Sequence, residues 1–175
     1  IMAGIGTRHS TEFVEIAYTS PKIPAALNGY KIAFITDTHD YHDPRLIKIR
    51  DEIKLFAPDL VLLGGDFAAD PREHLRLYGT LEPPDGTYGG AGNHDNPKDL
   101  FPTRSALGVV PLDKEGVLLH AGLYLAGVAD LRTQVPDTAK AMQPAPEEAF
   151  VLLLSHNPAI VMEHDVSRAD LVLAG

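Results

Sequence analysis

Four apolar, strand-like runs in this chain each lead into a cluster of carboxylate, amide or imidazole side chains. Lys31 to Thr36 runs into Asp37-Thr38-His39, and Asp59 to Leu63 into Gly64-Gly65-Asp66. Gly86 to Ala91 runs into Gly92-Asn93-His94-Asp95, and Phe150 to Leu154 into Ser155-His156-Asn157. Helical segments alternate with these runs, which specifies an α/β fold. In such folds ligand crevices form at strand ends on one side of a sheet, so the order of the four blocks constrains both fold and chemistry.

The helix expected from Pro44 to Phe56 carries Leu46, Ile47, Ile49, Ile53 and Phe56 on one face, with Asp43 as N-cap and Pro44 at its first position. A weaker helix is expected from Pro71 to Tyr78, and another from Pro97 to Leu107, interrupted by Pro102. Phe13 to Tyr18 alternates as a strand, and Val117 to His120 with Leu123 to Val128 forms a hairpin about Ala121-Gly122. Val135 to Pro146, rich in proline, is expected as a surface loop. A short helix around Pro158 to His164 separates two buried strands, Phe150 to Leu154 and Leu171 to Leu173.

A length of 175 residues suits a single domain over 1–175, with 1–29 as lead-in and 30–175 as the motif-bearing core. The formal charge of -9 argues against a nucleic-acid partner, and a phosphate substrate would need bound cations to offset it locally. With no cysteine, disulfides, thiolate catalysis and cysteine-based zinc sites are excluded. No apolar run has transmembrane length; membrane association would need a preceding segment, and the first residue, Ile1, leaves room for one. Cytoplasmic and membrane-associated or extracytoplasmic locations both stay open.

The blocks supply oxygen and imidazole donors suited to hard or borderline divalent ions. Asp37 and His39, two positions apart in extended backbone, project to one side. Asp66 has two oxygens able to bridge two ions. Asn93 offers an amide oxygen, His94 is expected to face substrate and Asp95 to orient the His94 ring, the blander reading being an Asn-initiated turn with an incidental histidine. His156 follows the most apolar run of the chain. His42, between Asp40 and Asp43, is a candidate substrate contact, although an exposed loop is the blander reading. His9 and His74 are taken as surface residues, and His120 and His164 lack a motif.

In this order, Asp-x-His, Gly-Asp, Gly-Asn-His-Asp and a later strand-His resemble the calcineurin-like metallophosphoesterase superfamily, over Lys31 to Gly175. Pro84-Asp85-Gly86-Thr87-Tyr88 and Leu153-Leu154-Ser155-His156-Asn157-Pro158 look more narrowly like its bacterial branch. That branch holds UDP-2,3-diacylglucosamine pyrophosphatase-like and related membrane-associated phosphodiesterases. The resemblance implies a two-sheet αββα sandwich with two divalent metals (Mn, Fe, Zn or Mg) at strand ends. Asp37 and His39 would hold the first, Asp66 would bridge, and Asn93 and His156 would hold the second. His94, steadied by Asp95, would protonate the leaving group or stabilise the transition state. The implied activity is hydrolysis of a phosphomonoester, phosphodiester or pyrophosphate, on a small or lipid-linked substrate, by a metal-activated water.

Two departures stand out. Tyr41 occupies a place where the family commonly has glycine. The family also closes with Gly-His-x-His, and the sequence stops at Gly175. The chain is therefore expected to be a fragment, incomplete at its C-terminus, with sheet edges left uncovered. A catalytically impaired metallophosphoesterase-fold binding or scaffold module is the alternative; a nuclease is disfavoured by the acidic charge.

Overall fold

A computed structural model of the chain describes residues 2–7, 10–39, 43–67, 72–96 and 107–175. His42 and, apart from Leu107, the helix expected from Pro97 lie outside them.

Two sheets form the centre. The first has strands β1 (Met2–Thr7), β2 (Ser10–Glu15), β3 (Ile32–Ile35), β4 (Leu60–Leu63), β5 (Thr87–Gly89) and β6 (Val109–Pro111), in the order β2-β1-β3-β4-β5-β6. All its pairings are parallel except the β1–β2 hairpin. The second has β7 (Glu115–Leu118), β8 (Leu123–Gly127), β9 (Phe150–Ser155) and β10 (Leu171–Ala174), in the order β10-β9-β8-β7. There β8, β9 and β10 run parallel, while β7 is antiparallel to β8. The helices are α1 (Asp43–Phe56), α2 (Arg72–Tyr78), α3 (Thr138–Met142) and α4 (Ile160–Glu163).

Strand alternation sorts the core into layers. Ala33, Ile35, Val61 and Leu63 face outward onto Leu46, Ile49 and Ile53 of α1 and Leu75 and Tyr78 of α2. Ile32, Phe34, Leu60 and Leu62 face inward onto Leu123, Leu125, Leu152 and Leu154 of the second sheet. Tyr124, Ala126, Val151 and Leu153 cover the far side against Ala141, Met142 and Ile160. Helices, sheet, sheet and helices thus form the αββα sandwich.

Several local expectations differ. β2 starts at Ser10 and ends at Glu15, because its length is set by antiparallel pairing with β1 rather than by its own alternation to Tyr18. The stretch expected as a surface loop contains α3, capped by Asp137, which accepts the Lys140 N–H at 2.9 Å. Thr138, Ala141 and Met142 are buried because the outer face of the second sheet needs a cover there. β10 is only partly buried along its whole length, since it is an edge strand beside β9. His120 has a place despite its lack of motif: its Nδ1 lies 2.5 Å from Asp85 Oδ1, and the Tyr30 hydroxyl donates to the other oxygen of Asp85. Burial and the neighbouring Asp85 carboxylate push the Tyr30 hydroxyl well above its usual range.

Asp170 anchors the start of β10. Its carboxylate accepts from Lys22 Nζ at 2.8 Å and from the Val151 N–H at 2.9 Å. Burial alone would raise this carboxyl, but those bonds and the charges of Lys22 and Arg168 hold it below the usual 3.8. A folded pKa below the unfolded one adds stability that is fully present above 3.8 and lost as pH falls through the lowered value. Asp170→Asn should therefore cost about 1–3 kcal/mol at neutral pH, from the loss of charge-assisted bonds. The difference from the parent should shrink in acid. Thermal unfolding at neutral pH and near pH ~2 checks this; a gap of equal size at both would contradict it.

Candidate metal centre

The parallel strands of both sheets end at one edge, and the polar blocks meet there. Asp37 follows β3, Asp66 follows β4, Asn93 follows β5 and His156 follows β9. Asp37, Asp66 and His156 each present a ligand atom within 4.8 Å of the others.

The backbone that aims these groups is unusual. Asp37 (φ 54°), His39 (φ 39°) and Asp66 (φ 54°) all occupy the left-handed region. Such conformations disfavour L-residues and persist only where surrounding bonds fix them. Here the Asp37 N–H donates to the Gly65 carbonyl at 3.0 Å and the His39 N–H to the Asp66 carbonyl at 2.9 Å. The two loops are thereby tied into one unit.

Asp66 is the hub, with 2% of its surface exposed. Oδ1 accepts the His94 N–H at 2.8 Å. Oδ2 lies 3.5 Å from His156 Nε2, 3.8 Å from His39 Nε2 and 4.0 Å from His94 Nε2. These separations are too long for hydrogen bonds and suit donors arranged around a shared ion. His39 Nε2 is also 3.6 Å from Asp37 Oδ1.

His156 tests whether a cation fits. Its Nδ1 lies 3.0 Å from the Gly64 carbonyl, which can only accept, so Nδ1 carries the proton. Its Nε2 faces Asn93 Oδ1 at 3.2 Å and Asp66 Oδ2 at 3.5 Å. With Nδ1 held by the backbone, Nε2 is the ring nitrogen left to face an ion beside those two oxygens, as a histidine ligand oriented through its other nitrogen does. Asp37, Asp66 and His156 therefore present a donor cluster that fits a metal ion, with His39 and Asn93 beside it.

Asp95 binds backbone groups of two loops. Its Oδ2 accepts the N–H groups of Asp66 and Gly92, both at 2.8 Å, and its Oδ1 accepts that of Phe67 at 3.1 Å. Those bonds occupy the carboxylate inside the protein, while the His94 side chain is 69% exposed on the open side. The His94 ring meets the His39 ring edge-on, with centroids 5.4 Å apart. Gly92 has to be glycine: a Cβ there would lie 2.1 Å from Asp66 Oδ1.

His74, taken as a surface residue, is 2% exposed, and its Nδ1 lies 2.9 Å from Thr38 Oγ1, between the Asp37 and His39 positions. The signal was present in the sequence. His74, Leu75 and Tyr78 recur at helical spacing, which puts the histidine on the inward face of α2.

A family model described as calcineurin-like phosphoesterase matches residues 30–175. Among curated relatives, an uncharacterized metallophosphoesterase of Campylobacter jejuni is 27% identical over 92% of this chain and 47% of its own length. A transmembrane protein with metallophosphoesterase domain from Danio rerio is 26% identical over 93% of the chain and 43% of its own length. A UDP-2,3-diacylglucosamine pyrophosphatase of Chlamydia trachomatis is 26% identical over 86% and 51%. The chain spans about half the length of these relatives. Among the described residues no helix is long and apolar enough to cross a membrane.

Proposed function

We propose that this chain, which belongs to the calcineurin-like phosphoesterase family, carries the metal-binding core of a hydrolase of phosphoric esters or anhydrides. The observation that carries this reading is the convergence of Asp37, Asp66 and His156, whose ligand atoms lie within 4.8 Å of one another, with Asn93 Oδ1 3.2 Å from His156 Nε2.

In this reading Asp37 and His39 hold one divalent ion, Asn93 and His156 hold a second, and Asp66 reaches both. Bound ions would supply positive charge for the phosphoryl oxygens and lower the pKa of the attacking water. In this reading His94, whose exposed side chain lies beside Asp66, gives a proton to the leaving group. Asp95 keeps the loops of Asp66 and Asn93 in register. The donors suit Mn, Fe, Zn or Mg alike.

For substrate, a phosphomonoester, phosphodiester or pyrophosphate all fit. The name of the Chlamydia relative favours a lipid-linked pyrophosphate among them. The test is metal analysis of the purified protein, with turnover of p-nitrophenyl phosphate and bis-p-nitrophenyl phosphate in added Mn. Metal uptake and turnover that EDTA abolishes are expected. A protein that takes up no metal and cleaves neither ester would overturn the reading.

A further inference from the structure

We infer that His74 is a positioning residue for the Asp37 and His39 ligand pair, acting through Thr38; this rests on the metal assignment proposed above. The first observation is the place of Thr38. It lies between two residues held in left-handed backbone, with φ 54° at Asp37 and 39° at His39. Their N–H groups are fastened to the Gly65 and Asp66 carbonyls. Among the described residues no such bond holds Thr38 between them, and its hydroxyl is met by His74.

The second observation is burial. Thr38 and His74 are each 2% exposed, and Thr38 Oγ1 lies 2.9 Å from His74 Nδ1. A valine facing a leucine would fill comparable space without burying two polar groups. Placing a directional bond there costs desolvation, and it gains a fixed side-chain direction. Thr38 is also β-branched and stiff at χ1, so fixing its hydroxyl ties its Cα to α2 through a side chain with little freedom.

The third is what the bond connects. His74 stands on α2 next to Leu75, which is fully buried against the first sheet. The helix layer thus acts as a rigid support for the loop bearing Asp37 and His39. Asp37 Oδ2 is steadied separately by the Thr36 hydroxyl at 2.6 Å. Removing the Thr38–His74 bond should leave the loop fold intact while loosening the aim of both ligands.

The experiment is a calorimetric Mn titration of the full chain and its Thr38→Val, Thr38→Ser, His74→Phe and Thr38→Val/His74→Phe variants, with metal-free melting measured alongside. Thr38→Val and His74→Phe should each weaken Mn binding by about 10–100-fold, as loss of a ligand-orienting partner does. Thr38→Ser keeps the hydroxyl and should bind nearly as the parent does. The double variant should be no weaker than the worse single one, because both remove the same bond. Thr38→Val that lowers melting but leaves Mn affinity unchanged would overturn the inference and make the bond structural only. Should His74→Phe fail to fold, the Val-against-Ser comparison at Thr38 decides alone. A parent chain that binds no Mn would sink the metal assignment and this inference together, whereas tight binding by parent and Thr38→Val alike would sink only the inference.

Discussion

Asp66→Asn should lower Mn affinity by at least about 100-fold, more than loss of an outer partner does, and ester turnover by about 1,000-fold or more. The substitution is unusually clean. Asn tolerates left-handed backbone as Asp does, so φ 54° is kept. The amide oxygen can still accept the His94 N–H that Oδ1 accepts at 2.8 Å. What is lost is one negative charge and the acceptor atom facing His39, His94 and His156. Metal-free melting should therefore stay near that of the parent while Mn titration and turnover collapse. An Asn variant that still binds Mn with parental affinity would remove Asp66 from the ligand set.

The second large effect is on stability. Asp95→Ala strips the acceptor from three buried N–H groups, on Asp66, Phe67 and Gly92. With each orphaned donor costing about 1–3 kcal/mol and some water able to enter, the loss should be about 3–5 kcal/mol. That is a large share of a typical domain's total of about 5–15 kcal/mol. Asp95→Asn should fall between, because its amide group has only one oxygen to share among the donors. Urea unfolding of the metal-free proteins measures this directly. A change of about 0.5 kcal/mol or less, the size of an ordinary surface substitution, paired with a shifted pH–rate profile, would return Asp95 to the role of steadying His94.

That contrast shows what could and could not be found in the linear sequence. The α/β character was legible because runs such as Ile32-Ala33-Phe34-Ile35 and Leu60-Val61-Leu62-Leu63 are apolar on both faces, as buried strands must be, while the αββα layering was expected only from the family resemblance. β1 and β6 were missed: each is fixed by the strand it pairs with, β1 by β3 and β6 by β5, rather than by its own pattern. α3 was hidden by the prolines on either side, although Asp137-Thr138 is an ordinary helix start. At the site, residue type and spacing marked Asp37, His39, Asp66, Asn93 and His156. They could not assign the Asp95 carboxylate, because its partners are backbone N–H groups from two loops, and a backbone amide has no signature in sequence.

The left-handed backbone at Asp37 and Asp66 also limits how this chain can vary. Glutamate would keep the charge but suits that φ poorly and is a methylene too long. Glycine would keep the backbone and lose the donor, and asparagine would keep both backbone and size but lose the charge. No single replacement satisfies both conditions, so conformation and chemistry exclude different neighbours of the same residue. Aspartate is what their overlap leaves at each position, and a lineage that changes it has no one-step route to an equivalent site.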